Sequence, residues 1–349
     1  MKAAQIVAPR TFEIVDVEEP TLNGAPRGMI KVRLVRAAIC GSDIPLFSYD
    51  LAAQSNASGG DLLGPIVEFD GANPYPLRPG QSMHECVGTV VESTSSKFKE
   101  GDFVLAEPPA FDGAAQFFCT GEDNTILLPR DGVPPEQIVI AQPLGTVIWA
   151  FQKLGALMDM NAVVVGQGPM GLLISHVLSN LGARSIIGVD KLDYRLEISR
   201  KMRTTHTINS DKEDPVTAVR EMTDGKMADI VFEAVGHQTE TVGLCMKLVR
   251  NLGMLVAFGV PDVAVYENFP YAQFYRKNLT LIGSVGPNVI PNFSLARDMI
   301  VQGRIDVSPI VTHILPFGEV QRAYELFVDR KDGAVKVVLD YDSLTGESP

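Results

Sequence analysis

The chain has 349 residues, of which 46% are hydrophobic, and a net charge of −12; this length favours two domains over one. No Lys/Arg cluster stands out in the sequence, and so negative a surface repels phosphate backbones, so nucleic acid and anionic membranes are poor partners. The first residues lack the apolar segment of a signal peptide, and no apolar run reaches the ~18 residues of a membrane-spanning helix. The four cysteines are widely spaced. We therefore expect a cytoplasmic protein without disulfides.

Short β-forming runs dominate the chain to about residue 140. The runs GMIKVRLVRAAI, CVGTVVEST and GDFVLAEP are separated by Gly and Pro, a pattern typical of a compact β-rich unit. Residues 44–80 interrupt this pattern and are rich in Ser, Asn, Gly and Pro. We therefore predict a long loop or lid there, since structureless loops of such length are usually functional or disordered.

The pattern changes at about residue 144. The segment AVVVGQGPMGLLISHVLSNLGARSIIGVD reads as strand, glycine turn, helix and strand, and ADIVFEAVG and GMLVAFGV are further buried-strand candidates. Strands that alternate with helices predict a parallel, doubly wound sheet. We predict that residues 144–284 form this α/β domain, and that residues 285–349, with a final helix and strand, complete the β-rich domain of residues 1–143.

The glycine turn fits a dinucleotide-binding loop. Gly166, Gly168 and Gly171 follow an apolar strand and open a helix, so the backbone can approach a pyrophosphate at the helix N-terminus. Asp190 ends the next strand, where a carboxylate accepts hydrogen bonds from the adenosine ribose. That carboxylate repels a 2′-phosphate and favours NAD over NADP, whereas Lys191 and Arg195 weaken this preference.

Three residues of the β-rich part have side chains that bind zinc. Cys40 lies in a Gly-Ser-Asp turn, and His84 and Glu85 precede a glycine-punctuated strand. Each alone is more often a buried thiol, a structural histidine or a salt-bridge partner. Together they supply the thiolate, imidazole and carboxylate of an open catalytic zinc site. A catalytic thiol is the weaker interpretation, because no separate acid–base motif supports Cys40.

Motifs along nearly the whole chain resemble those of the zinc-dependent medium-chain dehydrogenase/reductase superfamily, which includes alcohol, sorbitol and glucose dehydrogenases. The resemblance is carried by ICGSD, HECVG, GQGPMG, VFEAVG and THILPF. It implies an α/β protein with a GroES-like β-rich catalytic domain, a Rossmann domain and an active site in the cleft between them. It also implies a homodimer or homotetramer that joins through the Rossmann domain, where GMLVAFGV and LTLIGSVG supply apolar edge strands.

The resemblance assigns roles to individual residues. Cys40 and His84 match zinc ligands, and Glu85 matches a carboxylate that ligates zinc in the sorbitol dehydrogenase branch. Ser42 matches the hydroxyl group that takes the alcohol proton, and Asp43 the carboxylate that orients the histidine ligand. The cofactor contacts that it implies, besides the three glycines and Asp190, are Thr146, Pro169, Met170, Arg195 and Val235.

The remaining ligand position holds Gln142 before Pro-Leu. Alcohol dehydrogenases have Cys here and polyol dehydrogenases have Glu, whereas archaeal glucose dehydrogenases are similar to this chain in having Gln. Gln142 either ligates zinc, or holds a zinc-bound water, or caps the following helix. These three alternatives stay open at the level of the sequence.

This chain departs from the family pattern at three places. Between Ala106 and Leu127 only Cys119 remains of the four-cysteine lobe that holds a second zinc in many relatives, so we predict one catalytic zinc per chain. Pro45 stands where relatives often have a proton-relaying histidine. The segment between Asp43 and His84 is longer than usual, and we expect its extra residues beside the substrate.

The sequence thus predicts an enzyme that transfers hydride between an alcohol, with polyols and sugars favoured, and NAD. Two alternatives remain: a zinc-free NADPH-dependent quinone or enoyl reductase of the same superfamily, and a nucleotide-binding protein without catalysis. Cys40, His84 and Asp190 speak against the first alternative. Decay of the site at Pro45 and Gln142 would favour the second.

Overall fold

The computed structural model describes residues 1–51, 73–236, 240–261 and 265–344. The chain divides into two compact units, one of Met1–Gly145, Asn288–Gln302 and Val311–Pro349 and the other of Thr146–Pro287 and Gly303–Ile310. The predicted domains differ from these units chiefly at Gly303–Ile310, which the contacts assign to the second unit. The active-site cleft expected between the domains stays a prediction.

The first unit is built on strands. They are β1 (Lys2–Ala8), β2 (Thr11–Asp16), β3 (Met29–Ala38), β4 (Glu85–Ser93), β5 (Phe103–Ala106), β6 (Phe117–Gly121), β7 (Thr125–Leu127), β14 (Val311–Pro316) and β15 (Lys336–Asp340). Strands β1 and β2 pair with each other, and the larger sheet runs β14-β15-β3-β4-β5-β7, with β6 also paired to β3. Its helices are α1 (Ile44–Ser48), α2 (Pro135–Ile138), α9 (Val289–Val301) and α10 (Val320–Val328).

Strand β3 is the centre of this sheet and fixes the register on both sides. Ala38, at its end, is opposite Glu85 of β4 and Val338 of β15. Antiparallel partners lie about 5 Å apart across a ladder. The start of β4, the start of β15 and the turn that follows β3 therefore converge, although up to 300 residues of sequence separate them.

Aromatic rings fill the core beside this convergence. The rings of Phe12 and Phe47 stack with centroids 5.5 Å apart, and the ring of Tyr324 lies 4.8 and 5.1 Å from them. Tyr324 is fully buried and belongs to α10. Phe47 belongs to α1, so part of the predicted 44–80 loop is in fact helical, with Pro45 in its first turn, where proline costs no hydrogen bond. Residues 52–72 of that predicted loop lie outside the described residues.

The second unit contains a parallel sheet of alternating strands and helices. Its strands are β8 (Asn161–Val165), β9 (Ser185–Asp190), β10 (His206–Asn209), β11 (Ala228–Glu233), β12 (Val249–Ala257) and β13 (Thr280–Gly283), in the order β10-β9-β8-β11-β12-β13. Its helices are α4 (Pro169–Asn180), α5 (Asp193–Lys201), α6 (Pro215–Met222), α7 (Glu240–Leu248) and α8 (Tyr271–Lys277), while α3 (Ala141–Phe151) runs from the first unit into the second.

The strands of the second unit are apolar because helices cover both faces of such a sheet. Val163, Ile187, Val231 and Leu255 belong to one buried cluster. The predicted α/β class, with a β-rich domain and a Rossmann-like parallel sheet, is confirmed. In the part of the chain that the structure describes, no helix has the length and hydropathy needed to cross a membrane.

Candidate metal centre and cofactor loop

Cys40, His84 and Glu85 form a three-residue group in the first unit. One ligand atom from each, a sulfur, a ring nitrogen and a carboxylate oxygen, lies within 4.8 Å of the others. Glu85 is fully buried and His84 is 9% exposed. The β3–β4 register explains this proximity, because Cys40 follows β3 by two residues and Glu85 begins β4. The structure thus brings together the three predicted ligands.

The donor atoms of this group fit a zinc ion. Among the described residues, the buried atoms that lack a hydrogen-bond partner include Nδ1 of His84, Oε2 of Glu85 and Oγ of Ser42. An unpartnered buried polar atom costs about 1–3 kcal/mol, and a metal ion would satisfy the two ligand atoms. Thiolate, imidazole and carboxylate are zinc's usual ligands in catalytic sites.

Lys336 holds the other oxygen of Glu85. Its Nζ lies 2.6 Å from Oε1 and donates a second hydrogen bond, of 2.9 Å, to the Ile39 carbonyl. Both side chains are buried. Burial raises the pKa of Glu85 to about 8, although the positive charge of Lys336 opposes this rise. The charge of Lys336 therefore does not fully offset the free-energy cost of burying the Glu85 carboxylate. A metal ion beside Glu85 would supply a second positive charge that stabilises it.

Lys336 was not predicted from the sequence. It is the single charged residue in the apolar run AVKVVL, at the first position of β15. Lysine is almost never fully buried unless it is paired. A single lysine inside a predicted buried strand could therefore have indicated that Lys336 pairs with a buried acidic group.

Asp43 contacts backbone rather than the histidine ring. Its Oδ2 accepts from the Cys40 N–H at 2.8 Å, and its Oδ1 accepts from the Met83 N–H at 2.9 Å. No hydrogen bond joins Asp43 to the His84 ring in the described residues, and His84 Nδ1 has no partner. Asp43 thus ties together the two backbone segments that carry the ligands, and its role in orienting the histidine stays a prediction.

Ser82 and Tyr324 connect the hydrogen bonds of Asp43 to the buried core; these contacts of Asp43, Ser82 and Tyr324 are called the anchor below. Ser82 Oγ lies 2.5 Å from the Tyr324 hydroxyl and 3.4 Å from Asp43 Oδ1. Met83 has φ of +69°, a left-handed conformation that non-glycine residues rarely adopt. The hydrogen bonds on either side of Met83 hold that backbone in place, and strain of this kind concentrates at functional sites.

Gln142 lies in the first turn of α3 and is 4% exposed. Its Nε2 donates to Oε1 of Glu107 at 3.1 Å, so the amide oxygen is the atom that remains for a metal, a water or a substrate. No hydrogen bond from this side chain to the helix backbone occurs among the described residues, which disfavours the capping alternative. Glu107, like Ser82 and Tyr324, was missed by the sequence analysis.

The structure describes the surroundings of two positions at which the sequence departs from the family pattern, Cys119 and Pro45. Cys119 lies in β6 opposite Lys31 of β3, apart from the ligand group. Ser48 has a buried hydroxyl with no partner among the described residues, and it ends the helix that contains Pro45. One zinc per chain stays a prediction.

The cofactor loop has two packed glycines and one open glycine. A Cβ on Gly171 would lie 1.8 Å from the Gly166 carbonyl oxygen, and Gly166 has φ of +93°. A Cβ on Gly168 would meet only Arg195 Nη1, at 3.7 Å. The first and third glycines thus allow tight packing of strand on helix, while the second leaves space for a pyrophosphate. Helix α4 begins at Pro169, directly after Gly168, so its N-terminus adjoins the space left for the pyrophosphate.

Asp190 closes this loop from the end of β9. Its Oδ2 accepts from the Gln167 N–H at 2.8 Å, and its Oδ1 from the Leu192 N–H at 3.0 Å. Arg195 Nη1 lies 3.8 Å from Oδ2. The Gln167 side chain turns into the core and accepts from Ser199 Oγ at 2.7 Å. The loop is therefore preformed.

The other predicted cofactor residues occupy different surroundings. Met170 is half-buried in the first turn of α4, Thr146 is half-buried in α3, and Val235 packs against the buried cluster of the second unit. Glu233, which was not predicted, holds the segment around Val235: its Oε1 accepts from the Val235 N–H at 3.1 Å and the Gly236 N–H at 3.2 Å.

Several known dehydrogenases are similar to this chain. Residues 169–302 match the family model of zinc-binding dehydrogenases. The chain is 27% identical to L-threonine 3-dehydrogenase of Bacillus licheniformis, over 94% of each chain, and 27% identical to sorbitol dehydrogenase 2 of Saccharomyces cerevisiae, over 89% and 90%. It superimposes on alcohol dehydrogenase TADH from Thermus sp. ATN1 with a TM-score of 0.81 and 28% identity, over 98% of this chain and 100% of that one.

These similarities support a place in the zinc-dependent medium-chain dehydrogenase/reductase superfamily. They also support a dehydrogenase of the zinc-dependent alcohol dehydrogenase type, and the group of Cys40, His84 and Glu85 fits the zinc for which that type is named.

Proposed function

We propose that the protein oxidises a secondary alcohol of a polyol or sugar with NAD. The observation that carries this proposal is the group of Cys40, His84 and Glu85, two of whose ligand atoms have no hydrogen-bond partner among the described residues, in a chain that also has a preformed dinucleotide loop. This combination disfavours the zinc-free reductase alternative, which needs no such ligands. It also disfavours a nucleotide-binding protein without catalysis.

The chain's own residues supply positioning and a path for the proton. When bound, zinc supplies the Lewis acidity that makes an alcohol proton easier to remove. Ser42 Oγ is buried and has no hydrogen-bond partner among the described residues, which suits a hydroxyl group that accepts the substrate's proton. Asp43 fixes the turn that carries Ser42, so the hydroxyl and the ligands keep one geometry. The loop of Gly166, Gly168 and Gly171 would hold the nicotinamide cofactor, which would supply the hydride acceptor.

The pairing of Gln142 with Glu107 supports a substrate that is rich in hydroxyl groups. An amide oxygen and a carboxylate both accept hydrogen bonds, and hydroxyl groups are donors that fit them. Sorbitol dehydrogenase and L-threonine 3-dehydrogenase, both similar to this chain, are named for substrates that carry a secondary alcohol beside another polar group. L-Threonine is therefore a second candidate, since Glu107 would also suit its ammonium group.

Asp190 supports NAD rather than NADP. Its carboxylate is fixed by two backbone N–H groups at the end of β9, where a 2′-phosphate would meet its negative charge. Arg195, 3.8 Å away, is the cation that works against this preference. We expect a higher kcat/KM with NAD, and a shift of about tenfold or more toward NADP in Asp190→Asn, which removes the charge but keeps an acceptor oxygen.

A panel of substrates tests the proposal. The zinc-loaded enzyme is assayed with NAD and NADP against polyols, aldose sugars, L-threonine and simple primary alcohols, and with NADPH against quinones. The expected result is NADH formation with a polyol or sugar, lost in Ser42→Ala, which keeps the ligands. Quinone reduction with NADPH, or no turnover with any alcohol, would contradict the proposal.

We also infer a homo-oligomer. Strand β13 pairs only with β12 among the described residues, and Leu281 and Val285 near it are 43% and 85% exposed. A second copy that pairs along this edge would cover them. Light scattering should show at least a dimer at micromolar concentration, and a monomer would refute the inference. The cytoplasmic location stays a prediction, supported by four free cysteines.

A further inference from the structure

A surface cavity of about 460 Å³, largely open to solvent, lies in the second unit, away from the cofactor loop. Its wall includes Met227, which precedes β11, and Val249, which begins β12. The cofactor loop instead follows the carboxyl end of β8. Because β8, β11 and β12 run parallel, the cavity is at the opposite end of the sheet and is separate from the dinucleotide site.

The wall of the cavity is strongly cationic. Five of its nine residues carry a positive charge and none carries a negative charge; the lining is Arg220, Gly225, Lys226, Met227, Lys247, Val249, Arg250, Asn251 and Lys277. The whole chain has 42 acidic and 30 basic residues, so this sign is opposite to that of the protein. The cations are scattered in sequence, which is why no cluster stood out there.

Few negative groups balance these cations. Arg250 Nε lies 2.7 Å from Asp229 Oδ1, and the charge of Lys247 lowers the pKa of Asp214. Arg220, Lys247 and Lys277 lie in the last turns of α6, α7 and α8, where each helix end supplies about half a negative charge. After these contributions, about one to two positive charges remain around the cavity.

Lys277 adds a half-buried positive charge to the cavity, and its described hydrogen-bond partners are the backbone carbonyls of residues 246, 247 and 249. Its Nζ donates to the carbonyls of Met246 at 2.8 Å and Val249 at 2.7 Å, and no carboxylate pairs with it in the described residues. Burial lowers the pKa of this ammonium group. A half-buried cation that contacts only neutral acceptors is stabilised further when an anion approaches.

We propose that this cavity binds a compact ligand with two or more negative charges, a chemistry that phosphorylated metabolites and tricarboxylates share. Its volume falls within the range of small-molecule sites. The remaining surface is negative overall, which disfavours a polyanionic polymer. This inference goes beyond the proposed function and does not depend on it.

Calorimetric titration tests the proposal on the full-length, zinc-loaded enzyme, with saturating NAD to occupy the cofactor loop. Pyrophosphate and citrate are the two probes, and acetate is the monovalent control. The test variant is Lys226→Glu with Lys247→Glu, since both side chains are exposed and should tolerate the change. The matched control is Lys201→Glu, an exposed cation in the last turn of α5 outside the cavity.

We expect saturable binding of at least one probe that weakens by ~10-fold or more in the double variant, stays unchanged in Lys201→Glu and falls with added salt. Preference for pyrophosphate or for citrate would identify the phosphoryl or the carboxylate source. Equal binding in all three proteins, or no saturable binding of either probe to the wild type at ~10 mM and low ionic strength, would overturn the proposal.

Discussion

The metal centre and the cofactor loop are assembled in different ways. The ligand group joins the turn after β3 to the start of β4, and it is supported by Lys336 and Tyr324 from the last part of the chain. The cofactor loop is one continuous strand, turn and helix, closed by Asp190 only 23 residues from Gln167. The first site therefore depends on long-range strand register, whereas the second depends on local backbone geometry.

This difference predicts that substitutions far from the ligands in sequence will damage the metal centre. The largest such effect should come from Lys336→Met, which leaves Glu85 buried without its partner. Removing one member of a buried pair costs about 3–5 kcal/mol when the other stays charged. We expect about 1–3 kcal/mol, because the pKa of Glu85, raised to about 8, lets the unpaired carboxyl take up a proton near neutral pH. Urea denaturation of the metal-free protein measures the loss.

The matched control is Lys336→Met combined with Glu85→Gln. The double variant should recover most of the lost stability, since no unpaired charge then remains in the core. Identical urea midpoints for the single and double variants would show that Lys336 acts through packing alone.

Gln142→Ala tests how far the metal centre extends along α3. If the amide oxygen contacts the metal directly, zinc affinity should fall by ~10-fold or more. If it holds a water, zinc should stay bound while turnover falls. A chelator competition assay and an activity assay, run together, distinguish the two cases. Zinc affinity and turnover that both match the wild type would remove Gln142 from the site.

Tyr324→Phe tests whether the contact between Tyr324 and Ser82 supports the metal centre from the core. The change deletes only the hydroxyl that contacts Ser82, and a buried hydrogen bond contributes about 1 kcal/mol. We expect a loss of stability of that size and a smaller loss of zinc affinity, because Asp43 still holds both ligand segments. An unchanged urea midpoint together with unchanged zinc affinity would contradict the anchoring role.

The smallest effect concerns His176, in the helix that follows the cofactor loop. Burial lowers the pKa of His176, and the charge of Arg203 adds to this while Asp306 opposes it. The folded protein therefore binds this proton more weakly than the unfolded chain, whose histidine has a pKa of about 6.5. Stability from this group is complete above that pH and is lost as the pH falls below it.

The expected contribution is below about 1 kcal/mol at pH 6. It is measured as the difference between urea midpoints at pH 8 and pH 6, which should be smaller in His176→Gln than in the wild type. An equal difference in both proteins would assign the pH dependence to other groups.

The contrast between the local cofactor loop and the long-range metal centre explains which features could be predicted from the sequence. The glycines, Asp190 and the parallel sheet were foreseen, because strand, turn and helix signals are local. The side chain of Gln167 and the support from Glu233 were not, because neither position carries a distinctive pattern.

In the metal centre, residue types identified Cys40, His84 and Glu85, since each is a usual zinc ligand. Lys336, Tyr324 and Ser82 were missed because their contacts arise from strand register and helix packing across more than 200 residues. The backbone contacts of Asp43 were not foreseen either, because its two partners become neighbours only when β3 and β4 pair.

The most direct test of the central claim is the zinc content of the purified protein, measured beside its dehydrogenase activity. We predict about one zinc per chain, with zinc and activity lost together in Cys40→Ala and both kept in Cys119→Ala, whose thiol lies outside the ligand group. Two zinc ions per chain, or a Cys40→Ala variant that keeps its zinc and turns over at the wild-type rate, would contradict it.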